Sequence, residues 1–476
     1  HCYCGWYNGH GLDLGKLNRG YWLPVTPGWY YGCGEFGSEG LDFRNTMERF
    51  YPDEWLPGSP DEERRWTPAV IAAAQTEKFH HLWYETPEGV DGWIEASHAF
   101  QAWITRLMTE AFRRDARMNT FAIHLFIDAW PAGWMKTIMD TQRQPKPAYF
   151  AYRDALTPLA VSLRSDRFVF RAGEPIELEA WVCNDTDAAP EGTTLRYRLE
   201  HEGRVVQSGQ APAVVARCTP RGQGRIVFAA PPVAQRSRIT ARLALCDSEG
   251  VVVHDTSLDL DAFPREADET GAAAGTVRVI GSRDGRAARL VRELGLKPRY
   301  SGMPGPDSVV LVDDMDSFAP IREDCERAAS GGATLVFLEV PAGTWRIGGS
   351  EMRVVPGGMG KRHFVSRATG HRLVDGFEPN DFRFWYDAEA GYVTPVLETV
   401  IDPAPDGWKP ILMSGNGSWQ RPWGPAPAAV SMAFGAGEIR VCQVKLPNRT
   451  DGNPVAEAFA RRLLLLPAES DEAGKP

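Results

Sequence analysis

The stretch Tyr30-Tyr-Gly-Cys-Gly-Glu35-Phe-Gly-Ser-Glu-Gly40 has the makings of a reactive carboxylate. Residues 29–36 read as a short strand that runs into a Gly-rich turn, and Glu35 stands near its end among glycines and aromatic rings. In α/β barrels the reacting groups stand at the carboxyl ends of strands. A carboxylate in that position can be one of the two acids that cleave a glycosidic bond, attacking the anomeric carbon to form a glycosyl ester. The flanking glycines let a substrate approach the backbone closely. The same residues also fit a turn or helix-cap glutamate on a loop. Glu39, Asp42 and Asp128 are backup acids, each read more readily as a loop charge or a salt-bridge partner. His10, His80, His81, His98 and His124 show no metal-ligand spacing and read as structural. No metal and no organic cofactor is expected.

The elements that must position these residues change character along the chain. In residues 94–112 the apolar positions Phe100, Trp103, Ile104, Leu107, Met108, Ala111 and Phe112 follow the rhythm of a helix. The continuous apolar run 121–127 then predicts a parallel strand buried on both faces. A helix feeding such a strand is the repeating unit of an α/β barrel. From about residue 158 the pattern alternates, as in Ile176-Glu-Leu-Glu-Ala-Trp-Val182 and Ile239-Thr-Ala-Arg-Leu243, with turns at Gly173, Gly203 and Gly250. That predicts an immunoglobulin-like β-sandwich over residues 158–264. After a polar linker, strands at 276–280, 308–312 and 333–338 alternate with helices at 284–294 and 321–329. This is the pattern of a doubly wound α/β domain, assigned to residues 265–470.

Four motifs, in order, resemble the end of the catalytic barrel of glycoside hydrolase family 2, whose β-galactosidases are typical members. His1-Cys-Tyr-Cys-Gly-Trp-Tyr7 is similar to the end of the family's sixth strand, and Gly34-Glu35-Phe36-Gly37 to the Ser-Glu-Phe/Tyr-Gly signature of the seventh. Phe126-Ile-Asp-Ala-Trp130 resembles the eighth, and Gln144-Pro-Lys-Pro-Ala-Tyr149 the segment leading out of the barrel. The departure is Gly34 where serine is common in the family, and it leaves the glutamate in place. The resemblance implies that residues 1–157 are the C-terminal part of a TIM barrel, its last three strands. It makes Glu35 the nucleophile of a retaining β-glycosidase acting on terminal β-linked sugars such as β-galactosides. Trp130 becomes the platform under the cleaved sugar, and His1, Tyr3 and Trp6 line the same subsite. The family's general acid, the glutamate of an Asn-Glu pair on the fourth strand, is expected upstream of residue 1, since no Asn-Glu pair occurs here. The isolated chain is therefore expected to be inactive without those strands. A non-catalytic carbohydrate-binding or assembly protein is the alternative.

The last domain resembles the glutamine-amidotransferase-like domains appended to some β-galactosidases. It lacks the Gly-x-Cys-x-Gly elbow of a working amidotransferase, so it reads as non-catalytic, with a possible role in forming a homo-oligomer. Its aromatic cluster Phe382, Phe384, Trp385 and Tyr386 reads as core. Net charge is −10, which gives no electrostatic reason to bind nucleic acid or an anionic membrane. No apolar run approaches the ~20 residues of a membrane span. The eight cysteines are scattered and read as reduced, mostly buried thiols, which fits a cytoplasmic setting.

Overall fold

The computed structural model describes residues 2–5, 13–20, 26–265, 275–358, 360–418 and 421–468, with the backbone alone for 2–5, 418 and 421–423. It is a mixed, strand-rich α/β structure that divides into two compact units. One comprises His1–Phe79 with Pro87–Glu266, the other His80–Thr86 with Ala267–Pro476.

In the first unit, β1 (Cys2–Gly5), β2 (Tyr31–Gly37) and β3 (Met118–Ile123) form a parallel three-stranded sheet in that order. The helix α1 (Gly89–Arg114) covers it, burying Trp93, Ile94, Phe100, Ile104, Met108, Ala111 and Phe112 on one face. The expectation for 121–127 needs correction. The strand ends at Ile123, and the residues of β3 are half-buried or exposed rather than buried on both faces. Among the described residues it is an edge strand, with no fourth strand beside it.

Two further sheets follow within this unit. One orders Leu159–Arg164, Pro175–Asn184 and Thr219–Ala229, all antiparallel. The other contains Ser237–Cys246 between Val252–Phe263 and Thr194–His201. Their alternating apolar residues meet in a shared core that includes Ile176, Leu178, Leu199, Phe228, Ile239, Leu243 and Leu260. This is the period-2 burial that the sequence alternation requires.

The second unit is built on a seven-stranded sheet. Thr276–Ile280, Val309–Val312, Thr334–Leu338 and Gly437–Cys442 run parallel and side by side, and Arg421–Phe434 and Lys409–Ser418 extend the sheet antiparallel. The two central parallel strands, Val309–Val312 and Thr334–Leu338, read as near-continuous apolar runs because both faces are covered: Leu335, Val336, Phe337 and Leu338 are all buried. Phe382, Phe384 and Trp385 are buried too, in keeping with a core role. The segment His80–Thr86 belongs to this unit, although the sequence reading places it in the barrel. Glu85 ties it in, accepting hydrogen bonds from the Ser366 hydroxyl and from the backbone amides of Arg367 (3.1 Å) and Ala368 (3.3 Å).

Candidate active site

Phe36 fixes the facing of β2. Its ring is buried edge-on against Phe112 (5.3 Å between centroids) and Phe121 (6.0 Å). Strand alternation then sends Glu35 to the opposite side. Glu35 is half-buried, and its Oε2 is buried with no hydrogen-bond partner among the described residues. Tyr3 of β1 lies opposite Glu35 in the parallel register, and Ile123 of β3 lies opposite Phe36. His1 and Trp6 fall outside the described residues.

The end of β3 meets the end of β2 closely. The His124 amide donates to Phe36 O at 2.9 Å. A Cβ at Gly37 would sit 3.0 Å from His124 O, and Gly37 has φ 145°, a conformation that side chains resist. The chain then loops out and returns: Leu125 N donates to Lys136 O (3.2 Å) and Ile138 N to Leu125 O (3.1 Å). Buried Asp128 organises the loop, accepting from Trp134 N (3.0 Å), Met135 N (3.1 Å) and Thr137 Oγ1 (2.9 Å). The loop so held lays the Trp134 ring edge-on to His124 (5.6 Å) and under the Lys136 ammonium (5.1 Å).

Among the described residues His124 and Lys136 lie in electrostatic reach of Glu35, and both have their pKa lowered, chiefly by burial. Burial pushes the His124 pKa down, the Glu35 charge pushes it up, and Lys136 pushes it down again. Burial likewise lowers the Lys136 pKa, while Glu39 and Glu35 raise it. Trp130, the expected platform, lies in the same loop with its side chain exposed (60 %), and its carbonyl accepts from Gly133 N at 3.2 Å. The ring the structure brings onto His124 is Trp134. Neither His124, Trp134 nor Lys136 stands out in the sequence as a site residue. The one signal that marks His124 is its place just past the end of a parallel strand, where barrel chemistry is done.

The other acids serve the scaffold. Glu39 is fully buried, accepts from Gln75 N (2.8 Å) and Thr76 Oγ1 (2.6 Å), and has its pKa pushed up to about 7 by burial. Asp42 accepts from Tyr51 OH and Ala132 N, each at 2.9 Å. Lys146, from the Gln144-Pro-Lys-Pro segment, buries its ammonium and donates to Gly40 O at 2.5 Å. Helix α1 spends its buried polar side chains on the same turn. Ser97 Oγ accepts from Leu41 N (3.1 Å), His98 Nε2 lies 2.6 Å from Leu41 O, and Gln101 Nε2 donates to Ser38 O (2.9 Å) and Thr137 O (3.0 Å). His98 is thus structural, as its sequence context suggests, and burial lowers its pKa to about 4. The described residues contain no group of three or more His, Cys, Asp or Glu arranged to hold a metal ion.

No family model and no curated protein matches the chain. Among solved structures it is similar to the β-D-mannosidase of Dictyoglomus thermophilum, at 16% identity over 52% of this chain with a TM-score of 0.35. It is also similar to the exo-chitosanase of Amycolatopsis orientalis, at 14% identity over 53% of this chain with a TM-score of 0.39. The chain spans 28% and 30% of the lengths of those two proteins.

Proposed function

We propose that this chain carries the nucleophile half of a retaining β-glycosidase site, with Glu35 attacking the anomeric carbon of a terminal β-linked sugar such as a β-galactoside. One observation carries the reading. Near the carboxyl end of a parallel strand stands a glutamate with a buried carboxylate oxygen that has no partner among the described residues, within electrostatic reach of His124 and Lys136. Both oxygens of the nearby scaffold acid Glu39 accept hydrogen bonds, whereas Glu35 Oε2 meets no partner among the described residues. A nucleophile needs a free oxygen facing the space where the sugar sits. In this reading a second carboxylate, about 5–5.5 Å from the first, protonates the leaving oxygen and then activates water. By the family resemblance that group would be the glutamate of an Asn-Glu pair on the fourth barrel strand, and no such pair occurs in this sequence. Trp134 and His124 offer the ring surface on which the sugar's C–H face packs, and Lys136 supplies positive charge beside the nucleophile.

The test is hydrolysis of a panel of aryl β-glycosides by this chain and by a longer protein with barrel residues upstream of His1. Activity in the longer protein alone, abolished by Glu35→Gln, is the expected result. An inert longer protein, with sugar binding indifferent to Glu35→Gln, would favour a non-catalytic carbohydrate-binding protein instead.

A further inference from the structure

One side of the β-sandwich in the first unit is bounded by two edge strands. Among the described residues, Arg204–Pro212 pairs with Thr194–His201 and ends one sheet, and Thr219–Ala229 pairs with Pro175–Asn184 and ends the other. Both are long, nine and eleven residues. Val205, Val206 and Val227 on them are exposed, as is Val214 just beyond the first. A long, exposed, apolar edge is a template for another strand, because alternate backbone N–H and C=O groups face outward. The ladder bonds identify those groups. Ala213 N donates to Thr193 O at 2.9 Å, so Ala213 faces its own sheet and Val214 faces out. Ala230 N donates to Glu174 O (2.8 Å) and Ala230 O accepts from Gly173 N (2.9 Å), so Ala229 faces out of the other edge. By the same alternation the backbone groups of Ser208, Gln210 and Pro212 face out, where the missing N–H of Pro212 loses no ladder bond.

Two glutamines take up outward groups on both edges. Gln207 Nε2 donates to Ala229 O (2.6 Å), and its Oε1 accepts from Ala229 N (3.0 Å). Gln223 Nε2 donates to Val214 O (2.9 Å), and its Oε1 accepts from Val214 N (2.9 Å). Each amide therefore takes both the N–H and the C=O of one edge residue, the pair of bonds that a residue of an added strand would make. The grip is reciprocal, since the glutamine of each edge strand holds backbone beside the other. It is also in register: 207 meets 229 and 214 meets 223, as antiparallel neighbours would. The amide chemistry is specific to this task. A glutamate in either place would only accept, and a lysine would only donate.

We propose that Gln207 and Gln223 form a clasp that shuts this side of the sandwich against the Arg204–Pro212 strand of a second copy of the chain. Shut, the clasp holds Thr219–Ala229 beside the outward groups of Ser208 and Gln210; opened, it leaves them to a partner strand. A second copy fits because the strand carries one charged residue, Arg204, at its end. An antiparallel pair of such strands keeps the two arginines apart, so no like charges oppose. The clasp does not depend on the glycosidase reading. It is tested by sedimentation velocity of the full chain over a range of concentrations. Gln207→Ala/Gln223→Ala is expected to self-associate at least tenfold more tightly than the parent, and Gln210→Ala on the same strand to match the parent. Adding Ser208→Pro to the double variant removes an outward N–H and spares the ladder to Thr194–His201, so it should restore the parent's behaviour. Aggregation of a merely unfolded chain would not be reversed by that change. A double variant that sediments like the parent at every concentration, or association that survives Ser208→Pro, would overturn the proposal.

Discussion

Glu39 lies four residues beyond Glu35, and burial pushes its pKa from 4.5 to about 7. The folded protein therefore holds a proton there that the unfolded chain releases near pH 4.5. Stability contributed by this group is full below that pH and is lost as pH rises towards about 7. At ~1.4 kcal/mol per unit, the loss is on the order of 3 kcal/mol. Glu39→Gln, which keeps an acceptor for Gln75 N and Thr76 Oγ1, should remove this slope. Chemical denaturation is expected to show the variant equal to the parent near pH 4 and more stable at pH 8. His124 is the residue in reach of Glu35 that sequence reading leaves as structural, because a single histidine after an apolar run carries no pattern. If it supports the reacting centre, His124→Ala should lower kcat/KM of the active, upstream-extended protein about 10²-fold, with the circular dichroism spectrum unchanged. Cysteine chemistry gives a third test. Of the six cysteines whose side chains are described, only Cys218 is exposed. A thiol reagent should modify Cys218 in the native protein and reach Cys183, Cys246, Cys325 and Cys442 only on unfolding.

At the scale of elements, helices and strands with a clear period were legible in the sequence. The helix predicted over 94–112 is observed as Gly89–Arg114, and the strand predicted at 29–36 as Tyr31–Gly37. The alternating strands appear where the alternation places them. The loop from His124 to Lys136 was not legible. Its shape depends on one buried carboxylate, Asp128, gathering two amides and a hydroxyl, and no local periodicity encodes that. The run 121–127 misled for the opposite reason: its apolar residues continue past the strand into this loop, where Phe126 is exposed. Because Asp128 holds the loop that presents Trp134 and Lys136, Asp128→Ala should lower the melting temperature. With three donors left unmet at ~1–3 kcal/mol each before relaxation, the net loss is expected to be on the order of 3 kcal/mol. Activity of the extended protein should fall with it.

At the scale of the whole molecule, the strand-rich α/β character and the order of its parts follow from where the hydrophobic period switches from mixed to alternating and back. Neither the membership of His80–Thr86 nor the clasp of Gln207 and Gln223 could be read this way. The first depends on Glu85 meeting Ser366, Arg367 and Ala368 some 280 positions later. The second depends on Gln207 meeting Ala229 and Gln223 meeting Val214 across two sheets. The glycosidase reading draws on the same long-range placement, since it needs β1, β2 and β3 to run parallel with Glu35 near the carboxyl end of the middle strand. Its most direct test is covalent trapping. The upstream-extended protein would be incubated with an aryl 2-deoxy-2-fluoro-β-glycoside of the sugar it hydrolyses, which slows breakdown of a glycosyl ester, and then digested and sequenced by mass spectrometry. The account predicts a fluoroglycosyl adduct on Glu35. An adduct on another carboxylate, or turnover of the parent glycoside without any trapped ester, would contradict it.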